Sequence, residues 1–157
     1  IFMRSLKLFI GSGFGSGLIP FAPGTWGSLL SLVPIYFLMM SGNIFLILLF
    51  VLITSLLSLW VTSACVEQWG EDPGKLVMDE WAGQALTFIS ISSTGVLDSD
   101  LMILGIGFIL FRIFDILKPL GINKLQKYEG GAGILLDDLL AGLYALICLK
   151  TLIFIWS

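Results

Sequence analysis

Residues 44–66 read IFLILLFVLITSLLSLWVTSACV, 23 residues without a charged side chain. A helix of that length extends about 34 Å at 1.5 Å per residue, which is enough to cross the roughly 30 Å hydrocarbon core of a bilayer. The charge-free region continues towards the N-terminus, because residues 8–66, 59 in succession, contain no Asp, Glu, Lys or Arg. Such a stretch cannot form a water-facing surface, so it predicts a membrane-spanning helix.

The composition of the whole chain agrees with this prediction. Of 157 residues, 57% are hydrophobic and 12% are charged, against roughly 45–50% and 25% in soluble domains. An isolated strand in lipid would leave backbone groups unpaired, so apolar stretches favour helices. We therefore predict an all-α, membrane-embedded helical bundle that forms a single integral membrane domain over residues 1–157.

Four further apolar stretches flank the central one. Residues 81–97 and 101–117 contain 17 residues each, near the lower limit for a span, and residues 139–156 are of similar length. Residues 29–40 include Pro34 and are too short to cross alone, so they are expected to be half-inserted or re-entrant unless the preceding residues also enter the membrane. The sequence thus predicts about four to five membrane segments.

Basic residues divide the loops into two sides. One side carries Arg4, Lys7, Lys75, Arg112, Lys118, Lys124 and Lys127. The other side contains residues 41–43 and 98–100, with Lys150 reaching outward to the headgroups. Because cytoplasmic loops carry an excess of Lys and Arg, the first side is predicted to be cytoplasmic, with the N-terminus inside and the C-terminus outside.

Five carboxylates converge on the predicted cytoplasmic face: Asp79, Glu80, Asp115, Asp137 and Asp138. Carboxylates at a membrane boundary are costly unless they meet cations or water, which favours a functional role over solvated helix-end charges. The chain has no histidine, which excludes a histidine acid or base and the usual zinc ligands. Carboxylates alone suit Mg²⁺ together with substrate phosphate oxygens.

Arg112, Asp115 and Lys118 are spaced three residues apart. On a continuous helix they would form one stripe of cation, carboxylate and cation, able to hold a metal ion and a phosphate together. The alternative is an ion pair between Arg112 and Asp115, with Lys118 anchored at the headgroups.

Glycine-rich passages lie on the same face, at residues 11–17 (GSGFGSG), 23–28 (PGTWGS) and 130–133 (GGAG). Their backbone can approach a ligand closely, and Thr25 or Ser28 could cap a helix or contact an anion at its start. Small residues spaced by four also pack membrane helices together, and this alternative remains open. Neither common glycine-rich nucleotide motif is present, so nucleotide binding is not supported.

Five blocks occur in order: residues 13–17 (GFGSG), 23–28 (PGTWGS), 72–80 (DPGKLVMDE), 111–119 (FRIFDILKP) and 130–138 (GGAGILLDD). Together they resemble the phosphatidylglycerophosphatase A family. The resemblance implies a Mg²⁺-dependent bacterial enzyme of phospholipid biosynthesis in the cytoplasmic (inner) membrane. It would hydrolyse phosphatidylglycerophosphate to phosphatidylglycerol and inorganic phosphate. The distribution of basic residues predicts that its active site faces the cytoplasm.

The resemblance also implies a functional set, which is Thr25, Asp79, Glu80, Arg112, Asp115, Lys118, Asp137 and Asp138. The chemistry of these residues and of the glycine loops suggests the individual roles. The expected catalytic residues are Asp79, Asp115, Asp138 and Thr25. The expected substrate-binding residues are Arg112 and Lys118, with the loop glycines Gly24 and Gly131. The expected metal ligands are Asp79, Glu80, Asp137 and Asp138.

Two questions of mechanism and class remain open at this point. Attack on the phosphate could come directly from water activated by the metal, or from Asp79 or Asp115 through an aspartyl-phosphate. A small cation transporter or channel subunit is the rival class, but it predicts carboxylates near the bilayer midplane. Their position at one boundary favours a lipid-processing enzyme, for which no nucleic-acid partner is expected and the oligomeric state is open.

Overall fold

A computed structural model of the chain describes residues 1–71, 73–119, 121–125 and 130–157. Two residues of the sequence analysis lie outside these ranges: Asp72, the first residue of the block at 72–80, and Lys127, one of the basic residues of the predicted cytoplasmic side. The helices are α1 (Phe2–Gly11), α2 (Pro23–Ser41), α3 (Ile44–Trp69), α4 (Met78–Thr87), α5 (Leu97–Leu117), α6 (Ile122–Leu125) and α7 (Gly131–Trp156), with a 3₁₀ turn at Ser16–Leu18. The described residues contain no strand, which confirms the all-α prediction.

Three helices within the described ranges are long and apolar enough to cross a membrane: α2, α3 and α7. α3 contains the predicted residues 44–66. α2 is longer than the predicted residues 29–40, because Pro23 occupies the first helical turn, where a missing backbone N–H does no harm. The prediction of a half-inserted segment is therefore replaced by a 19-residue helix with Pro34 inside it.

The prediction of a continuous span over residues 81–97 is wrong. α4 has ten residues and extends only about 15 Å. Ser90 adopts a left-handed φ of 60°, and the serine and threonine residues that follow compete with a helix for backbone hydrogen bonds. The chain still reaches the far end of α2, where the Ser93 N–H donates to the Met39 carbonyl oxygen at 3.2 Å.

α4 lies at the centre of the bundle and packs against α2, α3, α5 and α7. Two contacts show that α2 and α4 run parallel. Gly24 lies against Glu80 near the starts of the two helices, and Ile35 and Phe88 share a core cluster further along both of them. The starts of α2 and α4 therefore meet at one end of the bundle.

Glycines bring α4 and α7 close together. A Cβ on Gly83 would lie 2.5 Å from the Asp138 carbonyl oxygen, and a Cβ on Gly142 would collide with the Gly83 carbonyl group. The backbones of the two helices thus touch where a side chain would separate them. This contact places the first turn of α4 beside the acidic part of α7.

Candidate functional site

Three carboxylates form a compact cluster at one end of the bundle. Asp79 and Glu80 come from the first turn of α4, and Asp138 comes from α7. One carboxylate oxygen of each lies within 4.8 Å of the others. Asp79 and Asp138 are 5% and 4% exposed, so this acidic cluster is enclosed by protein.

The acidic cluster carries buried carboxylate oxygens that no hydrogen-bond donor of the described residues meets. Within the described part of the chain, Asp79 Oδ1 and Glu80 Oε2 are buried without a hydrogen-bond partner. Burial raises the pKa of Asp79 to about 7, and the charges of Asp115 and Asp137 add to this rise. Burial, and then the charge of Asp79, likewise raises the pKa of Glu80 well above its usual value. Hard oxygen donors in this state fit a divalent cation, which would offset their repulsion.

Arg112 on α5 connects the acidic cluster to a fourth carboxylate. Its Nη1 forms an ion pair with Asp115 on the same helix and lies 3.6 Å from Glu80 Oε1. Asp115 also lies near Asp138. The structure thus brings Arg112 and Asp115 to the site, and the predicted pairing of these two residues is observed.

Lys118 does not continue the predicted stripe. α5 ends at Leu117, and Lys118 adopts a left-handed conformation with φ 46° and ψ 51°. Its Nζ donates to Asp137 Oδ2 at 2.6 Å. Burial opposes the charge on Lys118, but the hydrogen bond and the charge of Asp137 outweigh burial and raise the pKa of Lys118. The expected metal ligand Asp137 therefore faces Lys118, beside the three clustered carboxylates.

The start of α2 also reaches the site. A Cβ on Gly24 would collide with Glu80 Oε1 and would lie 3.2 Å from both terminal nitrogens of Arg112. Half-buried Thr25 follows it. Gly131 has a different place, because a Cβ there would lie 2.7 Å from Thr62 Oγ1 of α3.

Other loop glycines also make packing contacts. A Cβ on Gly11 would meet Cys65 and Val61 of α3, and a Cβ on Gly17 would meet the Lys75 carbonyl oxygen. The helix-packing alternative therefore applies to Gly11 and Gly131, which lie against α3, whereas Gly17 packs against the loop before α4. Gly24 is the glycine that contacts charged groups of the site.

Two buried polar residues lie beside the site: Gln84, which the sequence analysis missed, and Ser28, which it named as a candidate helix cap or anion contact. Gln84 on α4 and Ser28 on α2 are both 0% exposed. Both amide atoms of Gln84 and the Ser28 hydroxyl oxygen have no hydrogen-bond partner among the described residues. The available clue was the spacing of four from Glu80 to Gln84, which places them on one helix face.

Comparisons with known proteins agree with these residues. A family model described as phosphatidylglycerophosphatase A matches residues 9–153. Proteins named phosphatidylglycerophosphatase A are 40% identical over 137 residues in Haemophilus influenzae, covering 86% of this chain and 81% of the relative, and 34% identical over 132 residues in Escherichia coli, covering 83% and 73%.

A third relative carries a different name. A Bacteroides thetaiotaomicron protein, provisionally named phosphatidylinositol-3-phosphatase, is 38% identical over 146 residues and 90% of each chain is covered. No solved structure is significantly similar to the chain. All three relatives are named as phosphatases of phosphatidyl lipids.

Proposed function

The chain belongs to the phosphatidylglycerophosphatase A family and is a lipid phosphatase, and from this premise we propose that it hydrolyses phosphatidylglycerophosphate to phosphatidylglycerol and inorganic phosphate. The observation that carries the proposal is the acidic cluster of Asp79, Glu80 and Asp138 with Arg112 beside it. Carboxylates and a guanidinium at one buried point are what a phosphomonoester and its counter-cation require.

Mg²⁺ is the proposed cofactor of this site. Asp79, Glu80 and Asp138 would hold it, because their buried oxygens include two without a partner among the described residues. When bound, the ion supplies Lewis-acid stabilisation of the charge on the phosphoryl oxygens. Asp137 is assigned a different task, the orientation of Lys118 through their hydrogen bond.

Arg112 and Lys118 are the proposed phosphate-binding groups. Arg112 approaches the acidic cluster from α5, and Lys118, at the end of that helix, pairs with Asp137 beside the cluster. Each cation can donate charge-assisted hydrogen bonds to a phosphate oxygen. The start of α2 at Gly24 and Thr25 adds the positive end of a helix dipole to the same point.

We propose direct attack by water on phosphorus. The oxygen of the water forms the new bond to phosphorus, and the bond to the lipid oxygen breaks. A carboxylate takes one proton of the water and returns it to the lipid oxygen, which leaves as the alcohol. Asp115 is the proposed proton acceptor, a role supported by its ion pair with Arg112, the proposed phosphate-binding group. Capture of an acyl-phosphate on Asp79 or Asp115 from radiolabelled substrate would replace this route with nucleophilic catalysis.

The proposed active site faces the cytoplasm of a bacterial inner membrane. Arg4, Lys7 and Lys75 lie on the segments that adjoin the acidic end of the bundle, and the positive-inside rule assigns that end to the cytoplasm. The acyl chains of the substrate would stay in the bilayer while the terminal phosphate enters the site. The domain is proposed to comprise residues 1–157.

Phosphatidylinositol 3-phosphate is the second candidate substrate. It is favoured by the name of the Bacteroides relative and by the 90% coverage of both chains in that comparison. Its phosphomonoester would meet the same carboxylates and cations, so the two candidates differ only in the alcohol that leaves.

The test is phosphate release by purified, detergent-solubilised protein. The substrates are phosphatidylglycerophosphate, phosphatidylinositol 3-phosphate and phosphatidate, each with Mg²⁺ or with EDTA. We expect Mg²⁺-dependent release that is fastest with phosphatidylglycerophosphate. Faster release from phosphatidylinositol 3-phosphate would establish the second candidate, and activity that survives EDTA would contradict the metal assignment.

A further inference from the structure

Gln84 and Ser28 are buried polar residues that the proposed reaction does not use. Both are 0% exposed, and three of their polar atoms lack a hydrogen-bond partner in the part of the chain that the structure describes. A buried amide or hydroxyl without a partner destabilises a fold, so such exceptions require a physical explanation.

The packing of α2 against α4 places these two residues at one level. Gln84 lies one turn after Glu80 and one turn before Phe88 on α4, and Ser28 lies one turn after Gly24 on α2. Gly24 contacts Glu80 above this level. Below it, Phe88 joins the core cluster formed with α2 residues. Because the two helices run parallel, Gln84 and Ser28 fall between these contacts and face one interface.

We propose that an ordered water molecule lies between Ser28 and Gln84 and donates a hydrogen bond to Glu80 Oε2, so that Gln84 is a positioning residue for the Glu80 carboxylate. Water matches the partners, since Gln84 both donates and accepts, Ser28 does either, and buried Glu80 Oε2 accepts. Two consecutive hydrogen bonds span about 5 Å, close to the roughly 5.4 Å of one helical turn that separates Gln84 from Glu80.

A larger or charged occupant does not fit this level of the interface. Gln84 and Ser28 are fully enclosed, and the next residues of the interface are the fully buried Ile35, Ala85 and Phe88. An anion placed there would lose its hydration beside the Glu80 carboxylate, and a cation would find few protein oxygens in an enclosed space without the further waters that complete its coordination. A water molecule needs only two to four polar partners, which these side chains provide.

The positioning role of Gln84 rests on the proposed metal-binding role of Glu80. Glu80 approaches Arg112 through Oε1, whereas Oε2 has no partner in the described residues. A hydrogen bond to Oε2 would fix the orientation of the carboxylate, and groups that orient metal ligands raise metal affinity. The water site itself does not require the metal.

The first test is thermal unfolding of the metal-free protein for wild type, Gln84→Met, Ser28→Ala and the double variant. We expect each single substitution to lower the midpoint by about 2–4 °C, and the double variant to lose less than the sum, since both substitutions remove the same water. A higher midpoint for Gln84→Met, together with midpoint changes that add up in the double variant, would show that Ser28 and Gln84 share no water molecule. That result would overturn the proposal.

The second test is Mn²⁺ binding, followed by electron paramagnetic resonance. We expect Gln84→Met to weaken Mn²⁺ affinity by about tenfold. Ser31→Ala is the matched control, because that hydroxyl already donates to the Ser28 carbonyl oxygen at 2.6 Å; Gln68→Met, at an exposed glutamine bonded to Arg4, is the second. Both controls should bind as wild type does.

The two tests separate the failure of the inference from the failure of the proposed function. Unchanged Mn²⁺ affinity in Gln84→Met, with a wild type that binds Mn²⁺, would overturn the positioning role. Non-additive unfolding midpoints of the Ser28→Ala and Gln84→Met variants would support the water site. If wild type then bound no Mn²⁺, the metal site would be contradicted.

Discussion

α3 and α4 are neighbours in the bundle and opposite in character. α3 has 26 residues, of which seven are buried. α4 has ten residues, of which eight are buried, and these include Asp79 and Gln84. α4, the more enclosed helix of the two, is therefore also the more polar one.

The difference reflects lipid as the surrounding medium. The outer face of α3 exposes large apolar side chains such as Phe45, Leu52 and Leu56, and its buried face carries Thr54 and Ser58 with other small residues. Lipid is as apolar as leucine, so helices associate through close packing of small residues. α4 can carry carboxylates because its neighbours separate them from lipid, and this comparison predicts which substitutions will have large effects.

The largest expected effect is on activity, at the polar helix. Asp79→Asn and Asp138→Asn should each lower kcat/KM by more than about a hundredfold, because loss of even an indirect partner of a metal ligand costs about 10–100-fold. Phosphate release from phosphatidylglycerophosphate measures this loss. In metal-free protein both variants should unfold no lower than wild type, because each removes like-charge repulsion.

The control for this prediction is Asp98→Asn, an exposed carboxylate at the other end of α5. It should keep wild-type activity. If Asp98→Asn lost as much activity as Asp79→Asn, general loss of negative charge would explain both results, and the acidic cluster would have no special role.

The next effect is on stability, where α4 touches α7. Gly83→Ala should destabilise the protein by about 1–3 kcal/mol, since the added methyl group overpacks a tight contact, here the Asp138 carbonyl oxygen and Phe111. Gly105→Ala on α5 is the matched control, because a Cβ there meets open space, and it should unfold no lower than wild type. Equal midpoints for the two variants would show that α4 and α7 are further apart.

A smaller effect is expected at the phosphate-binding end of α5. Lys118→Met should raise KM for phosphatidylglycerophosphate by about tenfold, which corresponds to the roughly 1.5 kcal/mol of one charge-assisted hydrogen bond. Steady-state kinetics with Lys118→Arg as the charge-retaining control measures this. A fall in kcat at constant KM would instead assign Lys118 to stabilisation of the transition state.

The smallest effect is expected on the lipid-facing side of α3. Leu52→Ala should change stability by less than about 0.5 kcal/mol, since an exposed side chain loses few contacts. Thermal unfolding in detergent checks this value. A loss as large as that of Gly83→Ala would mean that protein, and not lipid, covers this face of α3.

The sequence predicts the apolar helices and the acidic end of the bundle for a simple reason. Charge-free runs such as residues 44–66 have one favourable state in lipid, and carboxylates are driven to the places where such runs end. The same reasoning fails for residues 81–97, where average apolarity hides the serine and threonine residues that end the helix. It also fails for Lys118, whose left-handed conformation at the end of α5 is a local backbone event.

Gln84 shows what the sequence alone does not provide. Its spacing of four from Glu80 places it on the same helix face as that carboxylate, but the sequence does not show that it is buried, unlike the exposed Gln68. Its importance arises from the parallel packing of α2 on α4, which encloses it beside Ser28. Which side chains lack a partner is decided by tertiary contacts, so this part of the site required the structure.

The central claim is that the acidic cluster of α4 and α7 binds a divalent cation, and equilibrium binding of Mn²⁺ tests it most directly. Electron paramagnetic resonance would follow Mn²⁺ titrated into wild type and into the Asp79→Asn/Asp138→Asn double variant. The account predicts saturable binding to wild type that Mg²⁺ displaces, and loss of that binding in the folded double variant. Equal Mn²⁺ binding by the two proteins, or none by wild type, would contradict it.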